Sequence, residues 1–135
     1  MSVVYNIEND LPPEQFTDVL RRSGLASRRP VDQPERIAKM LENADLVVTA
    51  RDADGLLIGV SRCIADFAYV CYCSDLAVDR KWQGQGIGRG LIDHSRKAAG
   101  EGATFLLLSA PGVEGYYLKA GFERFETCYG IRRKG

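Results

Sequence analysis

Apolar residues recur at two different spacings along this chain, and each spacing predicts one kind of element. Near the N-terminus, Phe16, Val19 and Leu20 follow at three- to four-residue intervals, which is the period of an α-helix with one buried face. From Asp45 onward, runs rich in β-branched residues replace that period and predict strands. The pattern therefore predicts alternating helices and strands, as in an α/β protein.

The predicted elements follow in the order β α α β β β α β α β β. Pro12 and Pro34 stand at the starts of the first two helices, and Gly24 closes the first. The sequence DADG at 52–55 is a tight-turn signal and predicts a hairpin. The apolar run at 103–109 predicts a strand covered on both faces. The predicted strands are 2–8, 45–51, 56–64, 69–78, 103–109, 122–125 and 127–132, and the predicted helices are 12–22, 34–43, 86–99 and 112–119.

Length and charge narrow the class of protein. The chain has 135 residues without a linker or repeat, so we expect one domain over residues 1–135. Acidic and basic residues number 18 each, so no net field favours nucleic acid or a membrane surface. The sequence has neither a long apolar run nor a secretory signal pattern. We therefore expect a cytoplasmic protein that binds neither nucleic acid nor membranes.

The cysteines and the single histidine do not suggest a metal site. Cys63, Cys71, Cys73 and Cys128 lack the spacing of a zinc motif, and we interpret them as buried thiols. His94 is the only histidine, which excludes sites built from several imidazoles, and we expect it on a helix flank. We therefore expect no metal cofactor.

The glycine loop, residues 83–90, carries the clearest chemical signal. Gly84, Gly86, Gly88 and Gly90 alternate between a predicted strand and a predicted helix. Free amides at a helix start form a concave donor site that favours an anion, so the loop predicts a phosphate or pyrophosphate site. The dinucleotide fingerprint fails in both glycine registers, and no P-loop Gly-Lys pair is present.

The stretch DLAVDRKWQGQGIGRGLI, residues 75–92, resembles the acetyl-coenzyme A signature of the GNAT superfamily of N-acetyltransferases. Gln83, Gly86 and Gly88 match its Arg/Gln-x-x-Gly-x-Gly/Ala motif, and YYLKAGF at 116–122 resembles the family's aromatic-Tyr-x-x-x-Gly-Phe segment. The resemblance covers residues 45–125 well and the first 40 residues only by element order. It implies a mixed α/β fold, with a mostly antiparallel twisted sheet splayed between the fourth and fifth strands and flanked by about four helices.

The resemblance also implies acetyl-coenzyme A (acetyl-CoA) as a co-substrate. It places the pyrophosphate on the amides of the glycine loop and pairs the pantetheine arm with a strand edge. An amide near Leu76 would face the thioester oxygen, and Tyr117 stands at the position of the general acid that protonates the leaving thiolate. The implied coenzyme-binding residues are Leu76, Ala77, Val78, Gln83, Gly84, Gln85, Gly86, Ile87, Gly88, Arg89 and Tyr117.

A base must remove a proton from the attacking amine. Asp75, beside Leu76, is the candidate, Asp66 in the preceding hairpin is the reserve, and a water chain is a third route. We expect Tyr116, the neighbour of Tyr117, to face the core.

The sequence leaves the acceptor open. The loop between the first two helices helps to shape the acceptor site in the GNAT family, and here it is basic. Its arginines could bind an acceptor carboxylate or could be merely solvated; they are Arg21, Arg22, Arg28 and Arg29. An aromatic set that could line an arylalkylamine pocket consists of Phe67, Tyr69, Tyr72 and Trp82. Small amines, polyamines, aminoglycosides and protein lysines all remain candidates. The alternative function is a non-catalytic acetyl-CoA-binding sensor, and family analogy allows a homodimer.

Overall fold

Residues 2–135, which the computed structural model describes, form five strands and four α-helices. The strands are β1 (Val4–Ile7), β2 (Leu46–Arg51), β3 (Leu57–Ala65), β4 (Val70–Val78) and β5 (Thr104–Leu107). The helices are α1 (Pro13–Ser23), α2 (Pro34–Glu42), α3 (Ile87–Ala99) and α4 (Glu114–Lys119), with 3₁₀ turns at Leu25–Arg28 and Arg80–Trp82. Over this range, no helix combines the length and apolar character needed to cross a membrane.

The strands form one mixed sheet in chain order, β1-β2-β3-β4-β5. Neighbours from β1 to β4 are antiparallel, and β5 lies parallel to β4 after the crossover through α3. The predicted hairpin between β2 and β3 is confirmed, because Asp52 accepts the amides of Asp54 and Leu56, both at 2.9 Å. This is the mixed α/β fold that the resemblance implies.

Helices cover both faces of the sheet. On one face, Phe16 and Leu20 of α1 and Ile37 of α2 pack against Val47. On the other, Ile87 and Leu91 of α3 pack against Val48 and Ile58. Val47 and Val48 thus serve opposite cores, as the two-residue period of a strand requires.

β4 contains a bulge at Ser74. In the pairing with β3, Asp75 lies opposite Arg62, but Cys73 lies opposite Cys63, so Ser74 is an extra residue on β4. Before the bulge, Cys73 belongs to the α3 core. After it, the odd-numbered residue Ala77 belongs to the α1–α2 core. The bulge therefore turns the odd-numbered side chains of β4 from one face of the sheet to the other.

β5 pairs with only the first part of β4. Its four residues lie opposite Val70 to Cys73, and within residues 2–135 no strand borders this edge of β4 from Ser74 to Val78. We call this open edge the β4–β5 gap. The splay between the fourth and fifth strands is thereby confirmed.

The last two predicted strands are wrong. Residues 122–125 and 127–132 form no strand and are largely exposed; Tyr129 is 92% and Ile131 101% exposed. A strand there would lack an apolar face to bury, and the entropy lost on ordering would not be offset. The prediction that β5 is covered on both faces also fails, because Leu106 and Leu107 are only half-buried at the sheet edge.

Candidate active site

Main-chain groups of β4 open into the β4–β5 gap. The Asp79 N–H donates to β3 at 2.8 Å, and main-chain direction alternates along a strand. The N–H and C=O of Ala77 therefore face β3, whereas those of Leu76 and Val78 face the gap. In agreement, the Val78 carbonyl accepts from Gln83 Nε2 at 2.9 Å on that side. Of the three strand residues predicted to bind a coenzyme arm, Leu76 and Val78 are oriented for it.

The glycine loop forms a main-chain donor site at the start of α3. Gly84 and Gly86 have φ angles of 80° and 83°, a left-handed conformation that residues with a Cβ rarely adopt. Within the described chain no side chain caps α3, so the amides of Ile87, Gly88 and Arg89 have no acceptor inside the helix. These amides and the helix dipole favour an anion, and the predicted phosphate site stays a prediction.

Close packing explains the other two glycines of the loop. A Cβ on Gly90 would lie 2.2 Å from the hydroxyl of Tyr5, which also stacks on His94 with ring centroids 4.6 Å apart. A Cβ on Gly88 would lie 3.0 Å from the Tyr116 hydroxyl. The prediction that Tyr116 faces the core is wrong: α4 has no buried residue, and Tyr116 is 44% exposed beside the loop.

Asp79 attaches the loop to α1. Its carboxylate accepts the Lys81 amide at 2.9 Å and Arg22 Nη1 at 2.5 Å, and Arg22 Nη2 donates to the Leu57 carbonyl at 2.6 Å. Burial alone would raise the pKa of Asp79, but the bonds from the Lys81 amide and Arg22 outweigh it and lower the pKa. Asp79 is therefore ionised at neutral pH and fixes the entry to the glycine loop. Sequence reasoning did not single it out.

Tyr117 is held by a Schellman turn at the end of α4. The Phe122 N–H donates to the Tyr117 carbonyl at 2.9 Å and the Gly121 N–H to the Leu118 carbonyl at 3.3 Å, with Gly121 at φ 93°. The Tyr117 and Phe122 rings lie 5.5 Å apart. This geometry accounts for the Tyr-x-x-x-Gly-Phe spacing. Burial raises the pKa of the Tyr117 hydroxyl, which therefore keeps its proton at neutral pH.

Asp75 lies in the protein interior, bound by two arginines. Its side chain is fully buried, and its two oxygens accept from Arg29 Nε and Arg62 Nε. Arg29 also donates to the Ser74 carbonyl at 2.8 Å, and Arg62 to the Ser74 hydroxyl at 2.9 Å. The bulge directs Asp75 to the face of the sheet that α1 and α2 cover. The regular alternation of a strand did not predict this orientation.

Asp66, the reserve candidate for the base, is part of the turn between β3 and β4. Its Oδ1 accepts the amides of Ala68, Tyr69 and Val70 at 2.7 to 3.0 Å. These bonds, first that from Tyr69, lower the pKa of Asp66. The contacts favour a turn-forming role.

Two cavities lie beside β5, and Tyr117 lines both. The smaller, about 50 Å³, lies in the β4–β5 gap; its lining includes Arg28, Arg29, Ser74, Leu76, Leu108 and Tyr117. The larger, about 750 Å³, lies between β5, α4 and residues 120–128. None of the predicted aromatic set lines either cavity. Phe67 and Tyr69 instead lie exposed in the β3–β4 turn.

The cysteines are free thiols. Cys63, Cys71 and Cys73 are buried, as predicted, whereas Cys128 is exposed. Among residues 2–135, no three His, Cys, Asp or Glu side chains are grouped as ligands for a metal ion.

Known proteins share both this sequence pattern and this fold. The family model "Acetyltransferase (GNAT) domain" matches residues 42–124, which is more than half of the chain. No curated protein matches the chain.

Solved structures of acetyltransferases superpose on nearly the whole chain. A probable acetyltransferase from methicillin-resistant Staphylococcus aureus is 26% identical, with 99% of this chain and 100% of that chain covered and a TM-score of 0.80. A GNAT family acetyltransferase from Streptococcus pneumoniae is 20% identical, with 99% and 98% covered and a TM-score of 0.80. A GNAT family N-acetyltransferase from Escherichia coli in complex with CoA is 24% identical, with 90% and 68% covered and a TM-score of 0.69.

Proposed function

The chain belongs to the GNAT acetyltransferase family, and we propose that it transfers the acetyl group of acetyl-CoA to a primary amine by direct attack in a ternary complex. The observation that carries the proposal is that three features lie along one side of β4. These are the free main-chain edge at Leu76, the hydroxyl of the half-buried Tyr117 beside it, and the uncapped start of α3 next to Val78.

The residues present fit a CoA thioester. The amides of Ile87, Gly88 and Arg89 suit the pyrophosphate. Gly84 and Gly86 border open space, because a Cβ built at either position would meet no protein atom within 4 Å, and the lack of a Cβ lets a ligand approach the main chain there. The main-chain groups that Leu76 and Val78 turn into the gap suit the amides of the pantetheine arm. The thioester supplies an activated acetyl group.

Two groups of the protein take part in the proposed reaction, one in stabilising the oxyanion and one in proton transfer. The neutral amine attacks the thioester carbonyl carbon while the Leu76 N–H stabilises the developing oxyanion. The carbon–sulfur bond then breaks, the Tyr117 hydroxyl donates its proton to the thiolate, and the tyrosinate regains a proton from water. Placing amine and thioester together supplies a further part of the acceleration.

The amine proton leaves through water in our proposal. Donors of the protein itself occupy both carboxylate oxygens of Asp75, and three main-chain amides occupy Oδ1 of Asp66. The assignment of Asp75 as the base stays a prediction. Its contacts instead favour a role in which Asp75 positions Arg29. A water route is compatible with a site that works mainly by positioning.

Tyr117→Phe tests the catalytic assignment, with Tyr116→Phe as the matched control on the same helix. We expect Tyr117→Phe to lower kcat by about 100-fold or more, because general acid catalysis is lost. Acetyl-CoA affinity and stability should stay near those of the wild type. In the wild type, kcat should also fall only above about pH 10, since burial raises the pKa of Tyr117, and the Phe variant should lack this decline.

The measurement is thiol release, together with mass-spectrometric detection of the acetylated product over a panel of amines. Thermal stabilisation by acetyl-CoA is recorded in parallel. Stabilisation without transfer to any amine would instead support the alternative, a non-catalytic acetyl-CoA-binding module. No stabilisation by acetyl-CoA would remove both.

A further inference from the structure

The four arginines at the end of α1 and in the following turn differ in their contacts. Arg22 is bound by Asp79 and Arg29 by Asp75, so both have structural partners. Across residues 2–135, the guanidinium groups of Arg21 and Arg28 form no hydrogen bond or ion pair, and both side chains are exposed. Of these two, only Arg28 lines a cavity.

That cavity, which we call the Arg28 cavity, is the smaller one in the β4–β5 gap. Its lining includes Arg28, Arg29, Leu76, Leu108 and Tyr117. Its volume is about 50 Å³, against about 30 Å³ for one water molecule, so it admits a small group rather than a whole metabolite.

The charge around the Arg28 cavity is positive. Asp75 offers one negative charge to two guanidinium groups, that of the half-buried Arg29 and that of the buried Arg62. Arg28 adds another positive charge, and none of the described residues that line the cavity is acidic. An anionic group entering from the acceptor side would therefore meet an uncompensated guanidinium.

The Arg28 cavity is distinct from the anion site of the glycine loop. Along β4 it extends to Leu76, whereas the loop begins beyond Val78, which is about 7 Å farther along an extended strand. The catalytic candidates Leu76 and Tyr117 also border the Arg28 cavity, so a group bound there would lie beside the reacting atoms.

We propose that Arg28 binds a carboxylate or similar small anionic group of the acceptor, so that the preferred substrates are amines carrying such a group. The Arg29–Asp75–Arg62 cluster holds Arg29 and the end of its loop against β4, and thereby positions Arg28. The inference rests on the proposed acetyl transfer and adds the substrate class to it.

Binding is the first test, because it needs no turnover. The protein saturated with CoA is titrated calorimetrically with 6-aminohexanoate and with 6-aminohexanamide, which differ in the carboxylate but keep a remote amine. Arg28→Gln is compared with Arg21→Gln, which removes the same charge from the end of α1, outside the cavity. We expect the wild type and Arg21→Gln to bind 6-aminohexanoate about tenfold or more tightly than 6-aminohexanamide. Arg28→Gln should bind the two compounds with equal affinity. Equal or undetectable binding of the two compounds by the wild type would overturn the inference, as would a preference retained in Arg28→Gln.

Transfer to the same pair then separates the two proposals. Both proposals are supported if the wild type has a higher kcat/KM for 6-aminohexanoate than for 6-aminohexanamide. Arg28→Gln should lose this difference through a higher KM for 6-aminohexanoate, while its affinity for acetyl-CoA stays unchanged. Transfer without a carboxylate preference overturns the inference and leaves acetyl transfer standing. A binding preference without transfer to either compound leaves the anionic subsite standing and counts against the proposed reaction.

Discussion

Asp75 and Asp79 lie four residues apart, at the two ends of the part of β4 that borders the gap, and they are held in different ways. Asp79 lies at the end that we propose binds the coenzyme, the coenzyme end, and accepts a main-chain amide and one arginine of α1. Asp75 lies at the end that we propose faces the acceptor, the acceptor end; it is fully buried and accepts from two guanidinium groups. The contacts of Asp79 stabilise a turn, whereas those of Asp75 form an ion cluster between side chains distant in the sequence.

The difference indicates how each end of the site responds to substitution. Main-chain geometry and glycines form the coenzyme end, so most side-chain changes there should have small effects. The acceptor end depends on the charge balance of the Asp75 cluster, and a buried charge left without its partner is costly. The coenzyme end should therefore be the more tolerant of the two.

Asp75→Asn should have the largest effect on stability. It leaves Arg29 and Arg62 without a counter-charge in the interior, so we expect a loss of about 3–5 kcal/mol in the free energy of unfolding. Urea unfolding at pH 7 measures it, with Asp79→Asn as the matched control. Equal losses in the two variants would abolish the contrast between the ends.

Gly86→Ala should have an intermediate effect. A Cβ at φ 83° costs about 1–2 kcal/mol of backbone strain, so the loop should shift and bind acetyl-CoA less tightly, by about five- to thirtyfold. Acetyl-CoA titration of Gly86→Ala beside Gly115→Ala checks it, because Gly115 lies in helix α4, where a Cβ would meet no atom within 4 Å. If both variants bind acetyl-CoA like the wild type, loop geometry does not control the coenzyme end.

Asp79→Asn should have the smallest effect, about 1 kcal/mol or less, because asparagine still accepts the Lys81 amide and only the charged bond from Arg22 is weakened. The folded-state pKa of Asp79 lies below its unfolded value. Its contribution is therefore fully present above about pH 4 and is lost as the pH falls through the folded-state pKa. Urea unfolding from pH 7 to pH 3 should show the wild type losing its advantage over Asp79→Asn; a constant difference would contradict this account.

The sequence predicted most of the fold because local signals agreed. Helical spacing at Phe16 and Leu20, the turn at Asp52 and the glycines of the loop all correspond to observed elements. The prediction failed at residues 122–132, where local β propensity had no neighbouring strand to pair with. Tyr116 was misplaced for a related reason, since α4 is too short to bury a face.

The sequence by itself determined the glycine loop and the position of Tyr117, because each depends on residues close together in the chain. Gly84 and Gly86 set the loop geometry, and Gly121 and Phe122 fix the turn that holds Tyr117. Only the tertiary structure decided the roles of Asp75, Asp79 and the arginines. The bulge at Ser74 turns Asp75 toward a loop 46 residues away, and burial with Arg29 and Arg62 then determines what its charge does. Such pairing depends on which charges the fold brings together, and local periodicity does not encode it.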